Sequence, residues 1–229
     1  MESSARPVSV SVVEDRKILG TFYINTKQTH SQTLMPMIES TLKNTEIDIN
    51  TIDAFAIAKG PGSFTGVRIG ISAIKGMAMA SCKPCIGVST LEAIAYNLNF
   101  FDGIVCAIMD ARCDQVYNAL FECSNGVIRR LTEDRAITIE DLSKQLNNFK
   151  ESVNLVGDGA NLCYNKLVIN CGNVKIVPEH LKYQNSIGVA MAAFNMIDIH
   201  PYFVSADKLF PEYLRLPQAE RELKKKLKQ

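Results

Sequence analysis

The sequence has no tryptophan, only three histidines and no stretch of about 18 consecutive apolar residues, and its 25 Lys and Arg nearly cancel its 24 Asp and Glu. The missing apolar stretch excludes a membrane-spanning helix. Residues 1–13 hold no cationic region followed by an apolar run of leader length, so a cytoplasmic protein with no membrane partner is expected. A formal net charge of +1 leaves no global field to draw in a phosphate backbone. His30, His180 and His200 are far apart in sequence and read as structural or surface residues rather than a metal set. Seven cysteines, an odd number, do not make a disulfide framework in 229 residues and read as reduced thiols. Cys82-Lys83-Pro84-Cys85 has redox spacing, but it stands alone and Cys85 opens an apolar strand.

What is present suits a globular α/β chain. Hydrophobic residues make up 47%, enough for one large domain or two small lobes without metal or disulfide staples. Val8, Val10 and Val12 alternate with Ser9 and Ser11, the period of a half-buried strand, and residues 18–24 return after a turn to complete a hairpin. Leu34, Met37, Ile38 and Leu42 recur at helical spacing, with Pro36 tolerable only in the first turns, which predicts a helix from about Thr33. A strand over 53–58, a turn over 60–62, a helix over 64–80, a strand over 84–88 and a helix over 90–97 follow. The pattern restarts after 100–103 with a second hairpin, 104–109 and 115–122. This places one lobe in residues 1–101 and a second in 102–229, with a charged tail able to fold back on the first. The lysines over 224–228 read as a solvated helix end, with RNA contact as the alternative.

Lys59-Gly60-Pro61-Gly62-Ser63-Phe64-Thr65-Gly66-Val67-Arg68-Ile69-Gly70 runs from a strand through a turn into a helix, where backbone N–H groups can meet an anion. It meets no standard fingerprint. Three residues separate Gly62 from Gly66 where the dinucleotide pattern requires two, no Gly-Lys-Ser/Thr closes a Walker loop, and Pro61 stands where a nucleophile elbow needs glycine. Two readings stay open: a strain-relieving turn with Ser63 or Thr65 as helix cap, or a weak anion site at Gly60, Pro61, Gly62, Ser63, Thr65 and Arg68. Within the helix, Gly66, Gly70, Ala73, Met77 and Ala80 share a nearly bare face. Helical glycines cost about 1 kcal/mol each relative to alanine, so three of them, Gly76 included, imply a packing requirement. The approaching backbone belongs either to the chain's own sheet or to a second subunit.

His30-Ser31 with Leu34 and Pro36, the 59–70 stretch, Gly87-Val88-Ser89-Thr90-Leu91-Glu92-Ala93, Met109-Asp110-Ala111-Arg112 with Val116-Tyr117, Gly157-Asp158-Gly159, and Tyr213-Leu214-Arg215 with Gln218-Ala219-Glu220 resemble the bacterial TsaB (YeaZ) family over nearly the whole chain. The resemblance implies an α/β fold of two RNase H-like lobes of the actin/Hsp70 ATPase (ASKHA) class. It also implies a non-catalytic assembly subunit of the machinery that adds threonylcarbamoyl to adenosine 37 of tRNAs. The implied partners are a TsaD-type catalytic subunit, a TsaE-type ATPase, a second copy when the chain is alone, and tRNA indirectly. ATP and metal would sit on the partner subunits, with no cofactor on this chain. Thr90 and Ile94 stand where the catalytic relative has a His-x-x-x-His pair, and isoleucine cannot ligate a metal. The implied interface is Leu34, Met37, Ile38 and Leu42 on one helix and Gly66, Gly70, Ala73 and Met77 on the next, with Met35 and Met79 as adaptable contacts. The family's usual first strand, ending Asp-Thr-Ser, is missing or shortened ahead of Val8, which would leave backbone groups unpaired mid-sheet. A mis-assigned start, a shortened chain, or recruitment of residues 2–7 into the gap would each account for it. The rival reading is a nucleotide-binding ATPase or a peptidase of the same superfamily. Ser63 has no histidine nearby in sequence, and Asp110, Asp114 and Asp158 lie at strand ends that turn chemistry alone favours.

Overall fold

The computed structural model describes residues 1–167, 172–200 and 202–215. Alternating valine and serine make Val8–Glu14 (β1) a strand, with Val8, Val10 and Val12 buried on one side and Ser9 buried on the other. Asp15 and Arg16, at φ 45° and 67°, turn the chain so that Lys17–Ile24 (β2) lies antiparallel to it, Val10 opposite Phe22. Helix α1 (His30–Thr45) begins three residues ahead of the expected Thr33. Pro36 lies in its second turn, and the N–H it lacks would have met the carbonyl of exposed Gln32, which water can satisfy. Strand β3 (Phe55–Gly60) leads into α2 (Phe64–Ser81), whose cap is Ser63: its Oγ accepts from the Gly66 N–H at 3.3 Å. Strand β4 (Cys85–Ser89) pairs parallel to β3, and α3 (Thr90–Ala95) starts at once with Ser89 as cap.

Residues 1–4 join the two ladders. Glu2 and Ser9 exchange both backbone hydrogen bonds at 2.9 Å, the Met1 amine donates to the Ala56 carbonyl at 2.7 Å, and the Ala58 N–H reaches the Met1 carbonyl at 3.3 Å. The segment thus stands between β1 and β3 as a short central strand, and Met1 through Ala5 are buried. Residues 1–4 thus occupy the gap that the sequence predicts ahead of Val8.

The second lobe contains β5 (Gly103–Asp110), β6 (Gln115–Ser124), β7 (Val127–Arg130), β8 (Arg135–Thr138), α4 (Ile139–Leu146), β9 (Val153–Val156), α5 (Ala160–Leu167) and β10 (Val174–Ile176). Its sheet runs β10–β9–β5–β6–β7, with β8 also on β6. Strands β5 and β6 form the expected hairpin, Ala107 opposite Ala119, while β9 lies parallel to β5. Alternation along β5 serves two layers: Val105, Ala107 and Met109 pack with Leu91 and Ile94 of α3, and Ile104, Cys106 and Ile108 pack with Leu142 of α4 and Cys163 of α5.

After α6 (Glu179–Lys182), helix α7 (Ser186–Ile199) returns to the first lobe, where Val189, Ala192 and Ala193 share a core with Ala58, Ile86 and Val88. Val204 exchanges backbone bonds with Cys85 at 2.8 and 2.9 Å, and the Glu212 N–H reaches the Lys59 carbonyl at 2.7 Å. A division between residues 101 and 102 therefore separates the strands of the two sheets but leaves out this return. Among the described residues no helix is long and apolar enough to cross a membrane.

Candidate functional site

The loop from Lys59 to Arg68 is a meeting point of three segments. A Cβ on Gly60, at φ 126°, would stand 2.2 Å from the Glu212 carbonyl oxygen, and one on Gly62 would stand 2.4 Å from that of Ser4. The Ser63 N–H donates to the Ser4 carbonyl at 2.6 Å. Pro61 is buried and Thr65 exposed. Lys59 pairs with Glu212 at 2.9 Å. Arg68 donates from Nε to the Tyr213 hydroxyl at 2.7 Å and lies over both Tyr213 and Phe64, whose rings stack at 4.1 Å. Ser63 and Arg68, the groups best placed to greet an anion, are thus occupied by the chain itself.

The glycine face of α2 is answered from within. A Cβ on Gly66 would meet the Ser3 carbonyl oxygen at 2.1 Å and one on Gly70 would meet Ser3 Oγ at 2.2 Å; the Ser3 hydroxyl donates to the Gly66 carbonyl at 2.9 Å. Leu34, Met37, Ile38 and Met77 are all buried, in one core with Val8, Val10, Ile57, Val67 and Ile74. Leu42 and Ala73 are half-buried against that core. This corrects the expected interface at six of its eight positions: Leu34, Met37, Ile38, Gly66, Gly70 and Met77 face the lobe's own interior. An amphipathic stripe reports that a helix face is covered, and here the sheet covers it.

The outer face of the same helices is a different set. Met35 is 52% exposed on α1 and Met79 70% exposed on α2. Arg68, Ser72, Gly76 and Ala80 are also exposed, the last three at i, i+4 and i+8 on one side of α2. A Cβ on Gly76 would meet nothing within 4 Å among the described residues, none of which requires this glycine. The spacing of Ser72, Gly76 and Ala80 was readable in the sequence.

At the junction of the lobes the Ser89 hydroxyl donates to Asp134 at 2.5 Å, and Arg130 bonds Asp134 at 2.6 Å and Glu92 at 2.8 Å. This network, which sequence spacing did not indicate, ties the start of α3 to the β7–β8 loop. Thr90 is fully buried, and Ile94 packs among Leu91, Leu98 and Val105. Asp158 is half-buried, accepts from Gln184 Nε2 at 2.9 Å, and is pushed up to about 6 by loss of solvent, with the Asp110 charge adding to the shift. Burial also raises Glu2, to about 7, against the pull of the Ser4 N–H that it accepts at 2.5 Å. Asp114 stands apart, paired with Lys166 at 2.5 Å. His30 Nε2 donates to the Ala5 carbonyl at 2.7 Å, and His180 and His200 are exposed. Cys82 and Cys85 are free thiols, one exposed and one buried. No group of three or more His, Cys, Asp or Glu able to hold a metal ion occurs among the described residues. Residues 218–220 of the tail and the lysines of 224–228 lie outside them.

A family model described as "TsaD: tRNA N6-adenosine threonylcarbamoyltransferase" matches residues 17–221. The tRNA threonylcarbamoyladenosine biosynthesis protein TsaB of Bacillus subtilis is 28% identical over 227 residues, 96% of this chain and 94% of that protein. TsaB of Escherichia coli is 33% identical over 139 residues, 60% of each chain. A tRNA N6-adenosine threonylcarbamoyltransferase of Erythrobacter litoralis is 37% identical over 73 residues, 32% of this chain and 21% of that enzyme. Among solved structures, a Pseudomonas aeruginosa protein with similarity to peptidase YEAZ superimposes with a TM-score of 0.80 at 24% identity, covering 93% of this chain and 97% of that one. The fold is the two-lobed α/β arrangement of the ASKHA class. The chain belongs to the TsaD family of tRNA N6-adenosine threonylcarbamoyltransferases, and within it the likeness that runs the whole length of the chain is to TsaB.

Proposed function

We propose that this chain is a non-catalytic assembly subunit for tRNA threonylcarbamoyladenosine formation, docking a TsaD-type catalytic subunit on the outer face of α1 and α2. The observation that carries this is Gly76. It costs helix stability, answers to no close neighbour among the described residues, and lies between Ser72 and Ala80 beside the exposed Met79. A small-residue stripe flanked by methionine suits close approach of a second helix whose exact surface varies. The same stripe serves a homodimer in the partner's absence, so the two assemblies compete. A TsaE-type ATPase and tRNA join through the catalytic subunit, which holds ATP and metal, in the cytoplasm. The ATPase or peptidase alternative has less to draw on, because Ser63 caps α2 and Asp114 is paired with Lys166.

Light scattering on the chain alone and mixed with the TsaD-type protein of the same organism tests this, using Gly76→Leu as the variant. A one-to-one complex for the parent chain, lost in the variant although its melting temperature is no lower than the parent's, is expected. A variant that assembles like the parent chain rules the face out. Gly70→Leu is unsuitable, since its side chain would collide with Ser3.

A further inference from the structure

One flank of α2 carries more than small residues. Arg68, Ser72, Lys75 and Met79 recur at i, i+4, i+7 and i+11, a single stripe down the helix; Arg68, Ser72 and Met79 are exposed and Lys75 is half-buried. The returning segment runs beside this stripe in the opposite direction. Tyr213 accepts from Arg68 Nε at 2.7 Å, and the Phe210 ring lies 4.8 Å from Lys75 Nζ. Arg68 to Lys75 spans about 10 Å of helix, a length that the chain from Phe210 to Tyr213 covers when extended. The segment is fastened from below: Ala206 and Leu209 are buried in the first-lobe core, Lys59 holds Glu212 at 2.9 Å, and Tyr213 stacks on Phe64 at 4.1 Å. Pro211 fixes the backbone between the two aromatics. Phe210 is nevertheless 65% exposed. A phenylalanine held outward on a fastened backbone has little freedom left to lose on binding, which is what an interface anchor requires. Neither Arg68 nor Lys75 forms an ion pair among the described residues. Both cations rest on aromatic rings, and Lys75 reaches the main-chain carbonyl of Asp207 at 3.5 Å.

We propose that Phe210 anchors the docking surface and that Arg68 and Lys75 select what docks: a helix of the catalytic partner with an apolar recess for the ring and acidic residues seven positions apart for the two cations. This rests on the docking reading above and widens it from α2 to the segment beside it. Residues seven apart return to one side of a helix, so two acids at that interval face two cations at the same interval. A cation lying on a ring keeps its charge, and exposed Arg68 presents its outer side to a carboxylate. The aromatic then governs how long the complex lasts, and the charges govern encounter and salt dependence.

Calorimetric titration of the catalytic subunit into the parent chain, Phe210→Ala, Lys75→Gln and Lys75→Glu, at low and high salt, tests this. Phe210→Ala should weaken binding at least about tenfold while melting near the parent's temperature, because its ring stands outside the core. Lys75→Gln should weaken binding less and flatten its salt dependence, and Lys75→Glu should weaken it further. If the parent complex forms and is lost in Gly76→Leu, yet the Phe210 and Lys75 variants bind like the parent chain, this inference falls and the docking reading stands. If the parent chain itself does not bind, both fall. A Lys75→Glu complex as tight as the parent's, or a salt dependence unchanged in Lys75→Gln, overturns the acidic partner helix.

Discussion

Three glycines of one helix answer to different causes. Gly66 and Gly70 make room for Ser3, whereas Gly76 faces open space. Alanine at Gly76 should therefore stabilise the isolated chain by up to about 1 kcal/mol through helix propensity. Alanine at Gly66 should destabilise it by about 1–3 kcal/mol despite the same propensity gain, because its Cβ forces the Ser3 backbone away. Urea denaturation of the two variants measures both signs, and a gain at Gly66 would mean that the Ser3 contact yields freely. In sequence the three looked alike as a cost. Their angular positions, 66 and 70 a single turn apart and 76 rotated away, held the distinction, but periodicity does not say whether the covering surface is the chain's own or another's.

Elements were legible where a period repeated and obscure where they owed their place to distant partners. Both hairpins and the β3–α2 unit follow from alternation and capping, and of the two caps the sequence offered, Ser63 and Thr65, the helix uses Ser63. Helix α1 started earlier than its proline suggested because one unmade bond at an exposed carbonyl is a small loss. The destination of α7 could not be read: residues 187–197 are apolar nearly all round, which signals burial without naming the layer. The Ser89, Glu92, Arg130 and Asp134 network was equally silent, its members lying up to 45 residues apart. Removing the acceptor in Asp134→Ala leaves a guanidinium and a hydroxyl short of a partner where both are largely shielded from water. A loss of about 2 kcal/mol in thermal unfolding is expected, and Asp134→Asn should recover part of it.

For the whole molecule, Asp158 makes stability depend on pH in a defined direction. Its folded value of about 6 against 3.8 unfolded means that the native state binds the extra proton. Its contribution is thus fully present below about pH 4 and is lost as pH rises to about 6, by roughly 3 kcal/mol at most. The stability difference between Asp158→Asn and the parent chain should accordingly be near zero at pH 4 and favour the variant above pH 6. A flat difference would place Asp158 in contact with water.

The return of α7 and residues 202–215 to the first lobe bears on how the protein is made. Strands β5 to β10 follow one another along the chain between Gly103 and Ile176, so the second lobe can gather while later residues are still being added. The first lobe, though begun earlier, has its inner face completed only when Val189, Ala192 and Ala193 emerge. During synthesis its sheet therefore waits with an apolar side uncovered, and the lobe that starts first is the one that finishes last.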